Sequence, residues 1–271
     1  MWETSNPALR NDEAFRQLQG VFEAGRAANV ATVQGVVNKT AVLALLAVAA
    51  GAGGSALVAS MPSLLWITNI TAFVVSLGVF FVIARRPEAA RVVAPVYAIV
   101  QGAFLGAFTG VVDQALASAG AAVTGGVGLQ AFIITASILV AMLGLYKAGI
   151  VRPGKLLVSI VSVATAGIML TYLASFILSF FGVALPFVSL GSAFAGGKMA
   201  MIGVGVNVVV LGVAALWLVI DFGMIQERVA AGGTKAEEWY CAHALMVSLA
   251  WVYFEAVKLV FRVAMILNRR D

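Results

Sequence analysis

The sequence predicts an all-α integral membrane protein, a bundle of seven transmembrane helices. Two observations carry this. The chain of 271 residues is 62% hydrophobic and only 11% charged. A soluble domain carries roughly a quarter charged residues, and a water-facing surface cannot be built from so few. The charges also punctuate apolar runs of about 20 residues, the length of a helix that crosses a hydrocarbon core of ~30 Å.

Between Lys39 and Arg85 lie 45 residues without a charge, and Ser60-Met61-Pro62-Ser63 divides them into span 1 (40–59) and span 2 (64–84). Arg85-Arg86-Pro87-Glu88 through Arg91 is a loop, and span 3 (92–112) stops at Asp113. A Gly/Ala-rich stretch leads into span 4 (about 129–150), where Lys147 is close enough to the end to snorkel. Arg152-Pro153-Gly154-Lys155 has the composition of a turn. Span 5 follows over 156–181, and Gly191 to Lys198 is a Gly-rich loop. Span 6 runs from about 199 to at least Ile220; Gly232-Gly233-Thr234-Lys235 turns the chain, and span 7 covers about 239–267. Many of the 28 glycines fall inside these runs, as expected where small residues let helices approach closely in lipid.

Residues 1–39 form a separate N-terminal soluble or interfacial segment ahead of a membrane domain over 40–271. Its sparse apolar residues, among them Leu9, Phe15, Leu18 and Phe22, suit a short interfacial helix or a mobile tail. It does not read as a secretory signal, because four acids and four bases precede the first apolar run. Alternating spans put twelve Lys and Arg on the side of the N-terminus and five on the other: Lys198, Lys258, Arg262, Arg269 and Arg270. That bias predicts a cytoplasmic N-terminus. Span 7 crosses rather than re-enters, since no Gly or Pro interrupts it.

The net charge of +5 sits between apolar runs and forms no basic stripe, so no nucleic-acid partner is expected. One cysteine, Cys241, excludes an internal disulfide and a Cys-based zinc site; the lone His243 excludes a His-rich one. HExxH and P-loop motifs are absent, and no serine has a recognisable nucleophile elbow. The chain is expected to be no enzyme and to need no cofactor. Its medium is the lipid bilayer, and protein partners are unknown.

The informative residues are the ionisable ones inside spans, which usually face a bundle interior or a water-filled cavity. Asp221 follows 22 uncharged residues and precedes five more. Asn207 lies about 40° away from it around the helix, so the two could share a polar face. Glu255 follows 15 uncharged residues, and Cys241, Ser248 and Arg262 stand at seven-residue spacings from it. These four form a polar stripe that should face protein or water; a pairing of Glu255 with Lys258 or Arg262 is the alternative reading. A symmetric hairpin about Gly232 sets His243 level with Asp221 and Glu255 roughly 18 Å further along. On geometry alone, therefore, His243 is a partner for Asp221. Arg85 and Arg86 read as anchors at the end of span 2.

Several short motifs resemble the bacterial branch of the Bax inhibitor-1 family. They are Ser5-Asn6-Pro7-Ala8-Leu9-Arg10, Gly35-Val36-Val37-Asn38-Lys39-Thr40, Ala94-Pro95-Val96-Tyr97-Ala98, Glu238-Trp239-Tyr240 and Val252-Tyr253-Phe254-Glu255. The resemblance implies a last helix at the centre of two three-helix layers and a pH-sensitive calcium leak in a bacterial cytoplasmic membrane, with calcium or protons as permeant ions. It implies a proton sensor in which a carboxylate of span 6 and one of span 7, here Asp221 and Glu255, share a proton, latched by a basic residue closing span 2, here Arg85 or Arg86. Two carboxylates side by side in a low dielectric share a proton rather than both ionise. The sequence departs from the pattern at Glu255, where better-known members have Asp, and at Gln101, where the pattern often has Glu. Other functions compatible with the residues are a proton-coupled transporter of a small solute and a membrane regulator that transports nothing. A metal site is left open.

Overall fold

The computed structural model describes residues 29–183, 185 and 188–268. The N-terminal stretch from Leu9 to Phe22, read as an interfacial helix or a tail, lies outside the described residues. Among the described residues eight α-helices follow one another: α1 Val33–Ser60, α2 Leu64–Arg85, α3 Ala90–Ser118, α4 Gly126–Lys147, α5 Lys155–Ser179, the short α6 Gly191–Ala195, α7 Gly197–Ala230 and α8 Lys235–Asn268. All but α6 are long and apolar enough to cross a membrane. They are the seven predicted spans, with α7 as span 6 and α8 as span 7.

Several helices outrun the charge-free runs, and the reason is the same each time: the charge that seemed to end a span is satisfied within the helix. Lys39 lies inside α1 and pairs with Glu238 of α8. Asp113 lies inside α3, and its Oδ1 accepts the backbone N–H of Val127, one of the orphan donors at the start of α4, at 2.9 Å. In α8, which ends within a residue of the expected span 7, Lys258 and Arg262 stopped no span and are buried.

Helix α8 occupies the centre. It packs on α1, α3, α4 and α7, while α1 and α2 flank α3 on one side and α4 and α5 contact α7 on the other. With no hydrophobic drive between helices in lipid, such contacts depend on close packing and hydrogen bonds. The α1–α3 seam shows this. A Cβ on Gly106 would collide with the backbone of Gly51, one on Gly54 with the carbonyl of Ala103, and one on Gly102 with Ala47. Only glycine allows these backbones to meet.

At one end the chain is strapped shut. Val30 and Thr234 form an antiparallel bridge, and Ala31 N–H donates to Gly233 O at 2.7 Å. The segment entering α1 therefore lies against the α7–α8 turn. Helices α7 and α8 have 34 residues each, about 50 Å at the α-helical rise, so that this turn projects beyond a core of ~30 Å.

Candidate functional site

The polar stripe of α8 is buried throughout: Cys241, Ser248, Glu255 and Arg262 are all buried. Its seven-residue repeat keeps one face toward a single neighbour, as close to two turns must, and that neighbour is chiefly α7. Ser248 lies beside the carboxylate of Asp221, and Asn207 Nδ2 donates to Glu255 Oε2 at 2.7 Å and to its backbone carbonyl at 3.2 Å. A file of polar groups thus runs along the α7–α8 interface.

Glu255 is wholly buried and fully engaged. Its Oε1 accepts Tyr172 Oη from α5 at 2.8 Å and Lys258 Nζ at 2.9 Å. Lys258 Nζ also lies 2.8 Å from Oε2 and donates to Tyr172 Oη at 2.7 Å. The ammonium stands 4.8 Å from the centroid of the Tyr172 ring and 5.0 Å from that of Phe254. One turn on, Arg262 donates to Ser192 Oγ at 2.6 Å and to Ser189 O at 3.1 Å, holding the segment around α6 against α8. The guanidinium occupies the space that a Cβ on Gly203 would fill.

Asp221 contrasts with this. It is buried at 6% exposure, and its Oδ2 has no hydrogen-bond partner; Asn207 Oδ1 is buried and unmatched in the same way. Such acceptors are costly in a low dielectric. Among the described residues no three His, Cys, Asp or Glu side chains cluster as metal ligands.

At the strapped end, Glu238 is buried and receives Lys39, the Thr32 backbone N–H at 2.8 Å and the Thr32 hydroxyl at 3.2 Å. The family model described as Bax inhibitor 1 like matches residues 6–265, which include the strap, all but the last three residues of the central helix and the whole α7–α8 file. The chain belongs to the Bax inhibitor 1 like family. No curated protein and no solved structure matches the chain.

In this Bax inhibitor 1 like protein the expected site residues fall into separate places. Asp221 and Asn207 do share one face of α7, and both are buried against α8. Asp221 and Glu255, however, are not hydrogen-bonded to each other. Asp221 faces Ser248, which stands two turns, roughly 10 Å, along α8 from Glu255. Glu255 takes Lys258 as its ionic partner instead. Arg85 and Arg86 are exposed, and the Arg85 guanidinium lies over the Phe81 ring at 5.6 Å, so neither latches these carboxylates. His243 packs edge-on against Tyr97 of α3, ring centroids 4.8 Å apart. It stands five residues before Ser248, about 140° around α8, and its ring nitrogen Nδ1 is unbonded.

Proposed function

We propose that this protein is a pH-responsive cation leak, with calcium as the permeant ion that its family resemblance suggests, and that the path follows the α7–α8 file. The observation carrying this reading is the Asp221 carboxyl oxygen, buried between the two helices with no partner. A proton or a cation on that oxygen would complete it, and carboxylate and amide oxygens are the ligands that a hard divalent cation prefers. Asn207 Oδ1 offers a second acceptor on the same face of α7, about 21 Å further along at the helical rise. Asp221 then acts as the proton-sensitive element by itself, with Ser248 as its neutral neighbour, rather than as half of a paired carboxylate.

The charge distribution supports an N-terminus in the cytoplasm of a bacterial cell. Lys258 and Arg262 are buried inside α8, so they do not count as flanking charges. Twelve flanking Lys and Arg on the N-terminal side then stand against three, Lys198, Arg269 and Arg270. On this reading the protein is a conduit and not a catalyst.

The test is calcium flux into proteoliposomes over a range of pH. Wild-type flux changes with pH, and Asp221→Asn, which keeps the size and removes the ionisable group, abolishes that dependence. A folded Asp221→Asn protein with the wild-type pH profile would exclude Asp221 as the sensor.

A further inference from the structure

The Glu255–Lys258 pair is built unlike a structural salt bridge. Both residues lie on α8, three positions apart, so the pair joins no two elements. Yet groups from two other helices converge on it: Tyr172 Oη from α5 and Asn207 Nδ2 from α7. The ammonium touches a carboxylate, the hydroxyl end of Tyr172 and the ring of Phe254. Anionic oxygen with flanking aromatic rings is the recurring way in which proteins hold ammonium ions. The lining is complete without Lys258: Glu255 keeps two bonded neutral donors, and both rings belong to other residues.

We propose that Glu255, Tyr172, Phe254 and Asn207 form an ammonium-binding site whose resident ligand is the protein's own Lys258, a tethered cation, and that a free primary ammonium ion takes the site when the tether is gone. Lys258 therefore plugs the α7–α8 file at this level. The binding site stands by itself; only its consequence for flux rests on the reading of the file as a cation path. The geometry sets the selectivity. A primary ammonium carries three N–H donors on one nitrogen, and the site offers the carboxylate oxygens and Tyr172 Oη to them. A planar guanidinium spreads its donors over a fork that does not match. Tetramethylammonium has no N–H to donate. Arg262, the nearest other cation on α8, is engaged by Ser192 and Ser189.

Lys258→Ala removes three side-chain carbons and the nitrogen, the atoms of propylammonium. The experiment uses the full chain in lipid nanodiscs and follows thermal unfolding. Propylammonium in excess raises the melting temperature of K258A by about 3 °C, and leaves wild type and the double variant E255Q/K258A unmoved. Guanidinium and tetramethylammonium leave K258A unmoved. If K258A yields no folded protein alone, propylammonium present from solubilisation onward restores it. A folded K258A indifferent to propylammonium, an equal shift in E255Q/K258A, or no restoration would overturn the proposal. In proteoliposomes, K258A conducts cations at least tenfold faster than wild type and propylammonium blocks it. A melting shift with unchanged flux leaves the site standing and removes the conduction reading instead.

Discussion

Two ion pairs sit on α8, one in its first turn and one just past its middle, and they are put together differently. Glu238 reaches Lys39, 199 residues away in the chain, and so ties the central helix to α1. Glu255 reaches Lys258 on its own helix. Lys39 keeps 21% of its side chain exposed, whereas the Lys258 and Glu255 side chains keep 7% and 0%. The first pair contributes to tertiary structure and lets one partner touch water. The second bears a heavier desolvation cost and links no two helices through its charges; what links it to α5 and α7 is a neutral hydroxyl and a neutral amide. Stability alone does not account for a pair of that kind, because desolvation can exceed the Coulombic gain. The contrast marks the Glu255 level of α8 as the functional one and the Glu238 end as the clasp.

The comparison breaks most visibly at Lys258. Lys258→Met leaves Glu255 buried without its counter-ion, and removing one member of a buried pair costs about 3–5 kcal/mol. Glu255→Gln/Lys258→Met should recover most of that, since the Gln carbonyl still accepts from Tyr172 and the packed volume is kept. Equilibrium unfolding in detergent micelles measures both. A double variant no more stable than Lys258→Met would mean that the pair holds the bundle together after all.

The clasp should respond less and in a different pattern. Glu238→Gln loses its ionic partner, but Lys39 already reaches solvent, so the cost falls to roughly 1–2 kcal/mol. Lys39→Met/Glu238→Gln should not recover stability, because the charge that α1 and α8 shared is gone without a desolvation penalty of equal size having been relieved. The same unfolding assay decides it: a double variant restored to wild-type stability would place the two pairs in one class.

The sequence made one side of this contrast easier to see than the other. Seven spans were legible because apolar length is a one-dimensional property. The stripe of Cys241, Ser248, Glu255 and Arg262 was legible because one helix fixes the angles among its own residues. The neighbours of that stripe were not. A hairpin estimate about Gly232 places His243 level with Asp221, and rise alone is silent on which side of α8 faces α7. The structure turns His243 toward Tyr97 and gives Asp221 to Ser248. Tyr172 left no trace, since a tyrosine in span 5 has the same signature whether it faces lipid or a carboxylate. Lys39 and Asp113 misled the helix boundaries for one reason: charge in a sequence marks an interface with water only while it is unpaired.

The smallest effect supplies the baseline. Tyr253 Oη and Thr109 Oγ1 lie 3.1 Å apart, joining α8 to α3 between the two ion pairs through neutral groups alone. Tyr253→Phe removes that contact with almost no change of shape. Interhelical hydrogen bonds of this type average about 0.6 kcal/mol in membrane proteins, because the unfolded helices find other partners in the bilayer. Thr109 Oγ1 keeps a second bond to Leu105 O at 2.8 Å, so it is not orphaned by the loss. Tyr253→Phe should therefore lower unfolding stability by about 0.6 kcal/mol and leave calcium flux unchanged at every pH. A loss as large as that of Glu238→Gln would show that neutral and ionic links weigh alike on α8, and that charge is not what separates its two levels.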